Sequence, residues 1–307
     1  MAAKTYRRTE VAAYAKVNLS LDILGLDDRR YHVLESIMQT IPLCDSVVIT
    51  SAVKGGPAPK NVAVPDRLPL RVTTDSRLIP ADSRNSAYRA AELMLRTYPR
   101  IMGTDDEITV NIKKRIPVGG GLGGSSADCA AVLNGFNTHF GLGLPKTQLA
   151  ALGSKLGSDV PFMVTGGTAL VSGTGEVVRQ LPPPESCFML ICFPGYGMDT
   201  WEVYRKYDEM TIPMEARPDT AALASALEAG NSAAFFAGLK NVLEVPAFAL
   251  NKKLATLKTR LEQTDADKVL MSGSGSSFFC LFKKESRARA AMALLESEGN
   301  ECYTFKF

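Results

Sequence analysis

Alternating hydrophobic and polar residues in the first half of the chain predict strands. The stretch Val11–Ile23 predicts a long strand. From Val17 to Ile23 apolar residues alternate with polar ones, which is typical of a strand with one buried face. The same period of two predicts a strand over Ile108–Ile112, and the apolar segment Val47–Thr50 predicts another. Between them, apolar residues recur at helical spacing from Asn85 to Tyr98 and predict a helix.

The second half predicts strands and helices in the order β-α-β-β-α-β. Predicted strands cover 187–193, 269–271, 278–282 and 302–307, and predicted helices cover 221–228, 233–243, 250–261 and 286–298. This order is typical of a split βαβ sheet with helices on one side. The triplet Pro182–Pro184 can continue neither a helix nor a central strand, so it predicts a boundary between domains 1–181 and 182–307. The stretch Gly55–Pro69, rich in proline, predicts a loop.

Composition and charge exclude several classes of protein. The chain has 307 residues, of which 46% are hydrophobic and 22% charged, as in a globular protein of about two domains. Its net charge of +3 is too small for a protein that binds nucleic acid by bulk charge, so we expect no nucleic-acid partner. Six scattered cysteines and two histidines lack metal-ligand spacing, so we expect no protein-built metal site.

The N-terminal residues lack the apolar core of a secretory signal. The longest apolar stretch, Cys187–Phe193, is far shorter than a membrane span. These features predict a soluble, cytoplasmic protein without a membrane partner.

A glycine-rich loop joins the strand near Ile112 to a helix. Residues Gly119 to Gly124 include five glycines, and Ser125 or Ser126 is predicted to cap the helix that follows. A helix N-terminus carries about +0.5 of an elementary charge and unpaired N–H groups, so it attracts phosphate. Glycine lets the backbone approach a bulky anion closely. The pattern therefore favours a phosphate site over a flexible surface turn.

Two common phosphate motifs fit this loop poorly. A Walker loop requires lysine after its last glycine, whereas Ser125 occupies that position. A dinucleotide fingerprint requires an early βαβ unit and an acidic residue about 20 positions further on, but the first acid after Asp128 is Asp159.

Three segments in order resemble the GHMP kinases, a superfamily that includes galactokinase, homoserine kinase and mevalonate kinase. They are Ala15–Leu19, the loop Pro117–Ala127 and the late glycine segment Ser272–Ser276. The resemblance extends from about residue 10 to the C-terminus. It implies an α+β fold of two domains, an ATP-binding half like domain 2 of ribosomal protein S5 and a ferredoxin-like half, with the active site in the cleft between them.

Within this superfamily, the segments Ala13–Leu21, Tyr31-His32 and Leu156–Phe162 are most similar to the branch that phosphorylates an alcohol carrying a cytidine diphosphate group, on the non-mevalonate route to isoprenoids. The resemblance implies ATP and Mg²⁺ as cofactors and a small-molecule substrate, in a monomer or homodimer. Another GHMP-type kinase, acting on a sugar, homoserine or a mevalonate-like alcohol, and a non-catalytic nucleotide-binding relative remain alternatives.

The resemblance also implies roles for individual residues. Asp159 falls on the position of the general base, and Lys16 on that of the amine that stabilises this aspartate and the forming alkoxide. The implied ATP-binding residues are Pro117, Val118, Gly119, Gly120, Gly121, Leu122, Gly123, Gly124, Ser125, Ser126, Ala127, Asn85 and Lys114. The implied substrate-binding residues are Asn18, Tyr31, His32 and Tyr204.

One departure from the family lies before Tyr31. Close relatives usually have glycine where this chain has Arg30. A residue with a side chain is disfavoured at positive φ, so we expect the turn to be constrained there.

Overall fold

The computed structural model describes residues 4–54 and 62–307, which fall into two compact units. Unit 1 consists of the described residues within Met1–Tyr14, Cys44–Ile116 and Gly124–Thr165. Unit 2 consists of Ala15–Leu43, Pro117–Gly123 and Gly166–Phe307. Residues 55–61 of the predicted loop lie outside the described residues, and 62–69 contain neither helix nor strand.

The observed elements include most of those predicted. The strands are β1 (Thr5–Leu26), β2 (His32–Val53), β3 (Leu70–Thr74), β4 (Asp105–Lys113), β5 (Thr168–Gly173), β6 (Val177–Leu181), β7 (Phe188–Phe193), β8 (Lys268–Met271), β9 (Phe278–Phe282) and β10 (Glu301–Lys306). The helices are α1 (Ser86–Thr97), α2 (Arg100–Thr104), α3 (Gly124–His139), α4 (Lys146–Gly153), α5 (Val160–Thr165), α6 (Thr200–Asp208), α7 (Thr220–Glu228), α8 (Ser232–Gly238), α9 (Glu244–Leu250), α10 (Lys252–Glu262) and α11 (Glu285–Ser297).

Unit 1 packs helices against a small sheet. The second half of β2 pairs antiparallel with β4, and β4 pairs parallel with β3. Helix α1 begins where predicted, because the Asn85 side chain accepts a hydrogen bond from the Ala87 amide at 2.8 Å. Its alanine, methionine and leucine face is buried and packs against α3. Helices α1 and α3 are thus neighbours in unit 1.

Unit 2 contains the predicted split βαβ sheet. The strand order is β10-β7-β9-β8, and every neighbouring pair is antiparallel. Helix α11 packs against this sheet, while α6 to α10 lie along the chain between β7 and β8. Also in unit 2, the first half of β2 pairs with β5, and β5 with β6. The helix predicted over 233–243 was too long, since α8 ends at Gly238.

Three cysteines lie in the sheet of unit 2. Cys302 on β10 is directly opposite Cys192 on β7, and Cys280 lies on β9. All three are buried free thiols, and the pKa of Cys280 is raised by burial. Within the described ranges, the helices are all too short or too polar to span a membrane.

Candidate functional site

The first part of the glycine loop, residues 117–123, belongs to unit 2. Gly119, Gly121 and Gly123 all have φ near +70°, a conformation that side chains disfavour. A Cβ atom on Gly121 would lie 2.2 Å from the Ser272 carbonyl oxygen. Glycine at this position therefore permits both the turn of the loop and its close approach to the late glycine segment.

The late glycine segment, residues 272–277, holds the backbone of this loop. The Ser272 hydroxyl donates to the Gly121 carbonyl at 3.0 Å, and the Ser277 amide donates to the Gly120 carbonyl at 3.0 Å. The Lys16 amide donates to the next carbonyl, that of Leu122. With these carbonyls bound, the conformation of the loop backbone is fixed. Two of the three sequence motifs, the loop and the late segment, are thus in direct contact, and the strand bearing Lys16 joins them.

Lys16 is a buried cation held by a short polar chain on β1 and β2. Its side chain is only 4% exposed, and the ammonium donates to the Asn18 amide oxygen at 2.5 Å. The Asn18 amide nitrogen donates to the Ser36 hydroxyl at 2.8 Å, and that hydroxyl donates to the Ser20 carbonyl at 2.6 Å. The Lys16 ammonium is also 3.5 Å from the position that a Cβ atom on Gly273 would occupy. A fixed positive charge therefore lies beside the late glycine segment.

The end of the loop and the start of α3 belong to unit 1. Helix α3 begins at Gly124, so Ser125 and Ser126 lie within the helix and the prediction that one of them caps it was wrong. The Ser125 and Ser86 hydroxyls are hydrogen-bonded at 2.6 Å, which brings the start of α1, with Asn85, next to the start of α3.

Asp159 lies in unit 1 in the turn that ends at α5, and it is half-buried. The same turn approaches Ser126, because a Cβ atom on Gly157 would lie 3.9 Å from the Ser126 hydroxyl oxygen. Lys16 belongs to unit 2, so the pairing of Lys16 with Asp159 stays a prediction.

Lys114, predicted to bind ATP, lies between two carboxylates of unit 1. Its side chain is 7% exposed, and the ammonium donates to Asp45 and, at 2.8 Å, to Asp128. Burial alone would lower the pKa of Lys114, but the two carboxylate charges together raise it. Asp45 also accepts from the Arg115 and Ile116 amides at 2.5 and 2.8 Å. This cluster therefore fastens the end of β4 to α3 at both sides of the glycine loop.

The predicted base-binding residues Tyr31, His32 and Tyr204 lie in unit 2. The rings of His32 and Tyr204 are 4.9 Å apart and tilted by 54°, and His32 Nε2 is 2.8 Å from an Asp208 carboxylate oxygen. Tyr31 is 62% exposed, with the Arg29 guanidinium 5.5 Å from its ring centre. The structure thus brings His32, Tyr204 and Asp208 together, and the role of these residues in binding the base stays a prediction.

Arg30 has a φ of 65°, the conformation that we expected a side chain to disfavour at this position. The turn is secured by Asp27, whose side chain accepts hydrogen bonds from the Arg29 and Tyr31 amides. The turn thus keeps this backbone conformation with a side chain present.

Sequence reasoning missed Ser36, Asp45, Asp128 and Asp208 as members of these clusters. Buried polar positions on strands were the available signal, but their partners are too distant in sequence for any spacing rule. Among the described residues, no group of three or more His, Cys, Asp or Glu side chains could hold a metal ion.

Two family descriptions match this chain. Residues 85–167 match the GHMP kinases N terminal domain, and residues 223–300 match the GHMP kinases C terminal domain. The chain is 38% identical over 280 residues to 4-diphosphocytidyl-2-C-methyl-D-erythritol kinase of Geobacillus kaustophilus, covering 91% of this chain and 90% of the relative. It is 34% identical to the enzyme of the same name from Syntrophomonas wolfei, with 97% of each chain covered.

Solved structures show the same fold. A 4-(cytidine 5'-diphospho)-2C-methyl-D-erythritol kinase matches with a TM-score of 0.74 and 29% identity, covering 97% of this chain and 98% of that one. Homoserine kinase from Cytophaga hutchinsonii matches with a TM-score of 0.70 and 18% identity, covering 100% and 95% of the two chains. The predicted α+β fold of the GHMP kinases is therefore confirmed.

Proposed function

Since the chain belongs to the 4-diphosphocytidyl-2-C-methyl-D-erythritol kinase family of the GHMP kinases, we propose that it phosphorylates the 2-hydroxyl of 4-diphosphocytidyl-2-C-methyl-D-erythritol with ATP. The product is the 2-phosphate of this alcohol, an intermediate of the non-mevalonate route to isoprenoids. The observation that supports this most directly is the buried Lys16 ammonium, held by Asn18 beside the late glycine segment.

The glycine loop binds the triphosphate in this proposal. Backbone amides of Val118 to Ala127, including those at the N-terminus of α3, would donate to the phosphates. The carbonyls of Gly120 and Gly121 are already bound by the late glycine segment. The Ser125 and Ser126 hydroxyls add side-chain donors. Asn85 and Lys114 remain proposed contributors. The Lys114 ammonium already donates to Asp45 and Asp128, so the positive charge of Lys114 is balanced within that cluster.

Phosphoryl transfer needs an activated hydroxyl and a stabilised negative charge. Asp159 accepts the proton of the attacking 2-hydroxyl as general base. Lys16 stabilises the alkoxide that forms, and the hydrogen bond from Lys16 to Asn18 fixes the direction of its ammonium. Both roles rest on family membership, together with the burial of Lys16 and the position of Asp159 before α5.

The cytidine part of the substrate is recognised by His32 and Tyr204. An imidazole held by a carboxylate has a fixed ring orientation, so His32 presents its other nitrogen and its edge to a polar base. Tyr204 supplies an aromatic face next to His32, and Tyr31 supplies a second, exposed aromatic ring. Asn18 contacts the erythritol part of the substrate, a role that the family resemblance implies.

Mg²⁺ fits this arrangement as an ion held mainly by the nucleotide. Mg²⁺ usually keeps several waters and takes few protein ligands beside substrate phosphates, so no dedicated cluster of acids is required. The Ser126 hydroxyl is the protein oxygen that would contribute to holding it. When bound, it would neutralise charge on the phosphates.

The remaining expectations stay proposals: a cytoplasmic location, a monomer or homodimer, and the division into an ATP-binding domain of residues 1–181 and a second domain of residues 182–307.

ATP consumption measured with a panel of alcohols tests the function. We expect turnover with the cytidyl substrate, and loss of turnover in Asp159→Asn and Lys16→Ala while an ATP analogue still binds. Asp219→Asn, a change at the cap of α7, is the matched control and should stay active. Turnover only with a sugar, homoserine or a mevalonate-like alcohol would show that the proposed cytidyl substrate is wrong. Binding of the ATP analogue without turnover of any alcohol would support a non-catalytic relative.

A further inference from the structure

Asn241 is buried in unit 2, between α8 and α9, and both ends of its side-chain amide are hydrogen-bonded. Its amide nitrogen donates to the carbonyl of Met271 and to that of Gly273, both at 2.8 Å, and its amide oxygen accepts from the Leu243 amide at 2.9 Å. The residue is 3% exposed. The two carbonyls mark the entry to the late glycine segment.

The backbone around Asn241 is fixed to β1. The Leu21 amide donates to the Lys240 carbonyl at 3.0 Å, and the Val242 amide donates to the Leu21 carbonyl at 3.1 Å. Leu21 is five residues after Lys16 on the same strand. Asn241 therefore connects the strand that carries the buried cation to the segment that approaches it.

A second buried side chain supports the same entry point. Glu244 accepts from the Met271 amide at 2.9 Å with one carboxylate oxygen and from the Lys258 ammonium at 2.5 Å with the other. Together, Asn241 and Glu244 bind the carbonyl and the amide of Met271, the residue immediately before the late glycine segment.

The segment that Asn241 holds lies close to the glycine loop and to Asn18. A Cβ atom on Gly273 would lie 3.2 Å from the Asn18 amide oxygen and 3.3 Å from the Gly121 carbonyl oxygen. Movement of Gly273 towards either group would therefore displace the glycine loop or the amide that orients Lys16.

We propose that Asn241 is a positioning residue for the glycine loop, acting through the Met271 and Gly273 carbonyls, so that its loss weakens ATP binding more than it lowers kcat. This inference rests on the proposed kinase function. Only a group with two donors fits between two carbonyl oxygens, because a carboxylate there would meet them with negative charge on both sides.

Three variants test the inference: Asn241→Asp, Asn241→Leu and the control Asn231→Asp. Asn231 is exposed at the cap of α8, where aspartate caps as well as asparagine, so its variant should match the wild type. We expect the KM for ATP to rise about 10- to 100-fold in Asn241→Asp and Asn241→Leu, with a smaller change in kcat, because both variants leave buried carbonyls without their donors. In Asn241→Asp, activity relative to the wild type should fall as pH rises from 6 to 9, since only the protonated acid can donate. In Asn241→Leu this ratio should not vary with pH.

Wild-type KM values for ATP in both variants, or an equal fall in kcat with no change in KM, would overturn the inference. Should Asn241→Asp fail to fold, Asn241→Leu decides by the same KM measurement. Should the wild type show no turnover with any alcohol, the proposed function fails separately. Hydrogen exchange of the amides of 272–277 then decides, and unchanged protection in the variants would overturn the role of Asn241.

Discussion

The Asn18 side chain connects Lys16 to Ser36: its oxygen accepts from the lysine ammonium at 2.5 Å and its nitrogen donates to the serine hydroxyl at 2.8 Å. A 180° flip of the Asn18 side-chain amide would break both hydrogen bonds. The direction of the Lys16 ammonium therefore depends on a hydroxyl of the neighbouring strand.

Ser36→Ala should lower kcat about tenfold, because it leaves the buried Asn18 nitrogen without its partner at a cost of about 1–3 kcal/mol and lets the amide reorient. Steady-state kinetics with the cytidyl substrate measures this effect. Ser46→Ala removes a hydroxyl from the same strand that bonds only the exposed Glu10 side chain, and it should leave kcat unchanged. Equal kcat values in the two variants would contradict the role of Ser36.

Gly121→Ala should abolish phosphoryl transfer, since its methyl group would lie 2.2 Å from the Ser272 carbonyl oxygen. Gly143→Ala is the matched control. Gly143 has a similar φ, +67° against +75°, but nothing lies within 4 Å of its added methyl group. The control should lose about 1 kcal/mol of stability and retain its activity. Similar activity in both variants would show that the close approach of Gly121 to Ser272 is not required for phosphoryl transfer.

Asp208→Asn should raise the KM for the cytidyl substrate about three- to tenfold and leave the KM for ATP unchanged. The reason is that an amide holds the His32 imidazole less firmly than the carboxylate that lies 2.8 Å from it, and a charge-assisted hydrogen bond is about twice as strong as a neutral one. Glu209→Gln, next in sequence and paired with the exposed Lys206, serves as control. A rise in the KM for ATP, with no change in the KM for the cytidyl substrate, would contradict the role of His32 in binding cytidine.

The free energy of unfolding should depend on pH through His139 in unit 1. Burial and the nearby Arg7 charge lower the pKa of His139 to about 4, from 6.5 when unfolded. The unfolded chain therefore binds more protons between these values, and this contribution to stability is complete above pH 6.5 and is lost as pH falls towards 4. Its full size is on the order of 3 kcal/mol.

Urea unfolding of the wild type and His139→Gln at pH 7.5 and 5.0 measures this contribution. Burial raises the pKa of Asp128, which opposes the effect over the same range, so the difference between the two proteins is the informative quantity. We expect the wild type to lose more stability than the variant on acidification. Equal losses would contradict a neutral, buried imidazole.

The local elements of the site could be predicted from the sequence. Helix α1 and its cap at Asn85 follow from helical spacing and an asparagine at the right position. The glycine loop between β4 and α3 follows from a strand pattern, a run of glycines and a helix pattern. A constraint on the turn at Arg30 follows from the glycine that relatives have at that position, and Arg30 does have a positive φ. Each of these inferences concerns residues close together in the chain.

The supporting contacts could not be predicted, because they join distant parts of the chain. His32 and Asp208 are 176 positions apart, and Asn241 binds carbonyls 30 and 32 residues further on. Local patterns carry no information on which buried polar residue will find which partner. For Lys114 the sequence indicated positive charge near the loop, but not that Asp45 and Asp128 hold it.

The reactivity of the buried thiols in the sheet of unit 2 reports on local unfolding of that sheet. Alkylating reagents react with thiolates, and Cys192, Cys280 and Cys302 are fully or almost fully covered, with the pKa of Cys192 and Cys280 raised. Modification of these sulfurs therefore has to wait until β7, β9 and β10 separate. The labelling rate of native protein, resolved by mass spectrometry of the three peptides, should consequently measure how often this half of the molecule comes apart.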